Sequence, residues 1–123
     1  MLGEKPVAFV SFEAGEDLSA KQYRFVTLSS GKAIMPTAIT DKCIGILQNN
    51  PVEGETALIM VYGVSKVSAD AGITALDNVG TSTDGQGQKA VSTNLVFARA
   101  LETASGANEI ISVLLTPSGY PIP

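Results

Sequence analysis

The chain has 123 residues, 45% of them apolar and 16% charged, which fits one domain and excludes a large multidomain enzyme. Eight Lys and Arg against twelve Asp and Glu give a net charge of −4, which opposes nucleic acid or any other partner held mainly through phosphates. The absence of histidine removes the usual proton-transfer side chain and the commonest transition-metal ligand, so ordinary triads and zinc sites are excluded.

Residues 1–20 open the chain as an arm in which Val7, Phe9, Val10 and Phe12 stand among charges and glycines. Read as a strand, it places Val7, Phe9 and Ser11 on one side and Ala8, Val10 and Phe12 on the other. Met1-Leu2-Gly3-Glu4-Lys5-Pro6 interrupts apolar character too early for a signal-peptide core, and the longest strongly apolar stretch, Ala57 to Val64, is far below spanning length. The expectation is a chain made in, and remaining in, a reducing compartment, with no membrane partner.

From Lys21 onward the periodicity is that of strands. Tyr23 to Leu28 is rich in β-branched and aromatic residues, and Ser29-Ser30-Gly31-Lys32 turns it back into Ala33-Ile34-Met35 as a hairpin. Lys42 to Leu47 and Glu55 to Tyr62 follow, joined across Asn50-Pro51 and Glu53-Gly54. Gly63 separates Tyr62 from Val64 to Val67 and marks a bulge, a bend or a short turn within a longer strand. Ala71 to Asn78 reads equally as one helical turn or a loop, before Val79 to Thr83 resumes extended character. Asp84-Gly85-Gln86-Gly87 is a hairpin turn into Gln88 to Val91. Val96 to Glu102 and Glu109 to Leu115 flank Ser105-Gly106-Ala107-Asn108 as a last hairpin, although Leu95 to Ala104 also has fair helical propensity. The result is an all-β chain, a small single-domain sandwich or barrel of short antiparallel strands. Its core spans residues 21–116, and a tail at 117–123 carries Tyr120 and is rich in proline.

Motifs that could carry chemistry resolve into structure. Gly85-Gln86-Gly87-Gln88-Lys89-Ala90 matches a phosphate-binding spacing, but no apolar strand precedes it and a strand follows where the helix should be. Asp77, Asn78 and Asp84 lack the spacing of a calcium loop. Glu13, Glu16, Glu53 and Glu55 lack the aromatic platform of a sugar cleft, since tryptophan is absent. Ser65-Lys66 and Ser19-Ala20-Lys21 lack the spacing of a serine–lysine pair. Cys43, the single cysteine, sits in the apolar run Cys43-Ile44-Gly45-Ile46-Leu47 and reads as a buried, inert thiol. No catalytic residue, cofactor or metal is expected.

The run Ile44-Gly45-Ile46-Leu47, then Pro51-Val52-Glu53-Gly54-Glu55, then Val61-Tyr62-Gly63-Val64-Ser65-Lys66-Val67 resembles the centre of the small capsid decoration, or cement, proteins of tailed bacteriophages. Asp77-Asn78-Val79-Gly80-Thr81, Asp84-Gly85, Arg99-Ala100-Leu101-Glu102 and Gly106 to Leu115 extend the likeness over roughly Val26 to Leu115. The resemblance implies a non-enzymatic protein that binds the expanded icosahedral head and stabilises it against genome pressure. Its implied partners are the major capsid protein and further copies of itself, a trimer favoured, on the capsid surface of a virion assembled in the bacterial cytoplasm. Val7, Phe9, Val10, Phe12 and Tyr120 are the candidate capsid or oligomer interface. An accessory module that binds carbohydrate or a host surface through Tyr23, Tyr62 or Tyr120 is the alternative reading, and a small enzyme using Cys43 or a Ser or Thr is a third.

Overall fold

The alternating apolar pattern produces nine strands and no helix in a computed structural model that describes residues 4–91 and 94–121, with side chains through 115. The strands are β1 (Lys5–Glu13), β2 (Phe25–Ser29), β3 (Lys32–Ile34), β4 (Gly45–Leu47), β5 (Thr56–Ser68), β6 (Asn78–Thr81), β7 (Gly87–Lys89), β8 (Leu95–Ala100) and β9 (Ile110–Pro121). They pair antiparallel in the order β3-β2-β4-β5-β9-β8-β6-β7, with β1 added on β5, and the sheet curls into a half-barrel. The first hairpin turns on Ser30 and Gly31, with φ of 52° and 75°. Positive φ at both central residues matches the twist of the flanking strands.

The sheet has a separate core on each face. Phe25, Ile46 and Met60 stand opposite one another across β2, β4 and β5 and belong to the larger cluster, with Val67, Val79, Phe97, Ile111 and Val113. The Phe25 and Phe97 rings meet at 5.7 Å and 47° within it. One residue along, Val26, Leu47 and Ile59 point to the opposite face and pack with Ala14, Leu18, Met35 and Ala57 in the second cluster. This division follows directly from the two-residue side-chain period.

Strand β5 runs through both halves and bends at Gly63. Gln48 N–H donates to Leu58 O (2.8 Å), yet its side-chain Nε2 reaches Ser65 Oγ at 3.0 Å. In a straight strand those two residues stand roughly 23 Å apart. Tyr23 spans the same bend, donating its N–H to Leu47 O and accepting Ser68 N–H, both at 2.8 Å, and it does so in the left-handed region at φ 66°. At Gly63 φ is 116°, and an added Cβ would lie 2.6 Å from Lys5 O and 2.7 Å from Val7 N. Here β1 and β9 lie on opposite edges of β5, Lys5 and Leu114 both pairing with Val64, and β4 and β9 follow one another along the edge away from β1.

Three elements settle points at which the local signal was mixed or its boundary imprecise. Leu95 to Ala100 is strand β8 despite its helical propensity, because Ala98 and Ala100 are buried between β6 and β9. Tertiary pairing overrides propensity there. Lys42 to Ile44 precedes the ladder, which begins at Gly45. Residues 71–77 form an irregular loop, pinned by a reciprocal Ile73–Ala104 backbone pair at 3.0 and 2.8 Å, that leads into β6 at Asn78.

Candidate functional site

The stretch read as an N-terminal arm holds β1, which lies along β5 from Lys5↔Val64 to Glu13↔Thr56 with an irregularity around Val7 and Ala8. Its two faces differ. Val10 and Phe12 are half-buried against the second cluster, whereas Val7 and Phe9 are 67% and 45% exposed. Phe9 stands opposite Met60 and so ends the apolar row Phe25–Ile46–Met60 at the rim of the sheet. Leu58 and Tyr62, which flank Met60 on β5, are exposed beside it. The interior apolar row thus emerges on the surface at the β1–β5 ladder. Tyr120 lies on β9 opposite Val96, and its side chain is outside the described residues.

The backbone of β1 adds directionality. Ala14 N–H donates to Glu55 O on the β5 side (2.8 Å), and Gly15 N–H donates to Ala33 O on the other side (2.8 Å). On β5, Leu58 O faces β4 by accepting Gln48 N–H. Strand groups alternate sides, so Val10 and Phe12 direct N–H and C=O toward β5 while Phe9 and Ser11 direct theirs outward. Among the described residues, no strand pairs with that outer edge before the Ala14↔Ala33 bridge.

A second exposed apolar point is Leu76, 69% exposed at φ 74° on the 71–77 loop. Its N–H donates to Ala100 O (2.8 Å), and the loop around it is fixed by Thr74 N–H to Asp77 Oδ2 (2.9 Å) and Ala75 N–H to Thr103 Oγ1 (3.0 Å). A large apolar side chain held outward on a rigid, left-handed turn is unfavourable in water and suited to a contact. The sequence reading did not single it out, because the same residues fit a helical turn.

Cys43, Gln86 and Asp84 take structural roles. Cys43 is buried, and burial pushes its thiol up to about 12 in spite of a hydrogen bond with Thr81. That removes the thiolate needed for nucleophilic attack. In the Gly85–Ala90 segment Gly85 N–H donates to Ser82 O and Gln86 N–H to Asp84 Oδ1, and strand β7 follows where a phosphate-binding loop has a helix. Gln86 is instead a buried connector, its Nε2 donating to Ser68 Oγ (2.9 Å), Asn108 Oδ1 (2.9 Å) and Ala69 O (3.3 Å). No signal in the sequence distinguishes that buried amide from an ordinary turn residue. For Asp84, desolvation works upward, but the Ser82 hydroxyl, the Gln86 N–H and the charges of Arg24 and Lys21 together hold the carboxyl below its usual range. Among the described residues, no group of three or more metal-ligating side chains occurs, and no helix is long and apolar enough to cross a membrane.

The tyrosines do not present equivalent ring faces. Lys66 Nζ lies 5.7 Å from the centroid of the half-buried Tyr23 ring, whereas Tyr62 is exposed opposite Ala8. What the surface offers is therefore contact area and a strand edge.

No known protein-family pattern and no curated protein sequence matches the chain. Among solved structures, the N base of head fiber gp8.5 in bacteriophage phi29 superposes with a TM-score of 0.71 at 20% sequence identity, covering 92% of this chain and 98% of that one. The chain thus shares, over nearly its whole length, the fold of a phage head fiber base.

Proposed function

We propose that the chain is a non-enzymatic structural protein of a bacteriophage head, binding the outside of the expanded icosahedral shell as a decoration or cement protein. The observation that carries this reading is the shared fold with the base of a phi29 head fiber along almost the entire chain. Its partners are the major capsid protein and further copies of itself, a symmetric trimer where it occupies a three-fold axis. It is made in the host cytoplasm and resides on the virion surface. The 1–20 and 117–123 segments flank the 21–116 core and carry the interface residues Val7, Phe9, Val10, Phe12 and Tyr120. Val7 and Phe9 supply exposed contact, while Val10 and Phe12 hold their strand on the core.

The physical role follows from differential affinity. Each bound copy lowers the free energy of the expanded lattice relative to the unexpanded or ruptured one, and linked sites let individually weak contacts sum. Co-sedimentation of the purified protein with expanded and unexpanded shells tests the reading. Preferential pelleting with expanded shells is the expected result, and equal or absent pelleting with both contradicts it.

A further inference from the structure

We propose that the open edge of β1 is a docking site for β1 of a second copy of this chain, in antiparallel two-fold pairing. This goes beyond the head-shell reading and is tested without shells. The outward N–H and C=O groups of Phe9 and Ser11 form a ladder edge with no strand partner among the described residues. Such an edge takes an extended strand, because only a strand supplies acceptors and donors at the same repeat. Natural edges are commonly blunted with charge or proline. Between Val7 and Phe12 this one carries neither, and its proline, Pro6, lies outside that span.

Charge selects the occupant and its direction. The apolar span is bounded by Lys5 at one end and Glu13 at the other, within a chain of net charge −4. Antiparallel pairing with an identical strand brings the Lys5 end of each copy to the Glu13 end of the other, and parallel pairing would set like charges together. Glu13 also holds Lys32 of its own chain at 3.3 Å, which places the carboxylate at the rim where a second cation arrives.

With the two-fold axis at Val10, Phe9 of each copy stands opposite Ser11 of the other, and the outward groups exchange about four backbone hydrogen bonds. Val10 then faces Val10 across the axis and Ala8 faces Phe12, while the two exposed Phe9 side chains become diagonal neighbours on the other face. Beyond Phe12 the edge is closed by β3 through the Ala14↔Ala33 bridge, which limits the pairing to this short segment. On a shell, the same contact joins neighbouring copies.

Sedimentation equilibrium across a wide concentration range tests this. The wild-type mass should rise toward twice the 12.7 kDa of one chain, and Ser11→Pro, which removes an outward N–H, should stay monomeric with unchanged circular dichroism and melting. A wild-type chain that stays monomeric, or an assembly that survives Ser11→Pro, overturns the proposal. If Ser11→Pro does not fold, Lys5→Glu and Glu13→Lys chains decide. Each alone should be monomeric and their mixture should dimerise, and a mixture no more associated than its components overturns the proposal. A monomer that still pellets with expanded shells refutes the second-copy pairing and leaves the head reading intact.

Discussion

Replacing Gly63 with alanine perturbs the point on which β5 bends and β1 rests. Two other glycines calibrate the effect. Gly31 and Gly54 also have positive φ, 75° and 91°, but nothing lies within 4 Å of an added Cβ. Alanine at either should cost about 1 kcal/mol, the left-handed penalty alone. At Gly63 the same penalty applies at φ 116°, and the Cβ also meets Lys5 O at 2.6 Å and Val7 N at 2.7 Å. Both contacts are backbone, so relief requires lifting the start of β1 from β5. Adding backbone strain and the lost ladder bonds, Gly63→Ala should destabilise by about 3 kcal/mol. Urea unfolding of the three variants reads the difference. Amide exchange should show the loss of protection concentrated at Ala8 and Val10, with the larger core little changed. If Gly63→Ala matches Gly31→Ala within about 0.5 kcal/mol, the bend does not depend on that close approach and the reasoning fails.

Three further outcomes follow from named groups. Cys43 should resist thiol reagents at neutral pH in the folded protein and react fully once unfolded; rapid native labelling would contradict its burial. Because its folded pKa, about 12, exceeds the value of 9.0 for a free thiol, the unfolded chain loses its proton first. Stability should therefore fall by up to ~1.4 kcal/mol per pH unit above that value, a slope that Cys43→Ala should remove. Gln86→Ala should destabilise by about 2 kcal/mol, since it takes the amide donor from Ser68 Oγ and Asn108 Oδ1 while Ala69 O keeps the Asn108 N–H, and an unchanged denaturation midpoint would show that water replaces it. The lowered pKa of Asp84 gives stability that is present above the usual carboxylate range and lost as pH falls through the folded value. Asp84→Asn should flatten that acid limb, and acid titration monitored by circular dichroism checks it.

The strands were legible wherever alternation or a turn residue left a local mark. The β2–β3, β6–β7 and β8–β9 pairings follow from Ser30-Gly31, Asp84-Gly85 and the Ser105–Asn108 loop. Gly63 was visible as an interruption, but the bend it permits depends on Gln48 and Tyr23 bridging the two halves of β5, contacts distant in sequence. The alternation of Val7 to Phe12 was readable and its partner strand was not, because nothing in nine residues specifies which edge they meet. For the same reason the candidate interface combined side chains that face opposite ways. Leu76 and Gln86 went unrecognised because exposure at a left-handed turn, and burial within a polar one, are set by surrounding strands. The positive φ of Tyr23 likewise has no local cause in its residue type.

A shell-binding role is tested most directly by where the protein is found. Under the proposed function, mature phage heads assembled with the chain, purified and compared by quantitative mass spectrometry and electron microscopy with heads assembled without it, should carry it on the outer surface in many copies at a fixed ratio to the major capsid protein. Heads that contain none, or that carry it only at the tail, would contradict the assignment to the shell.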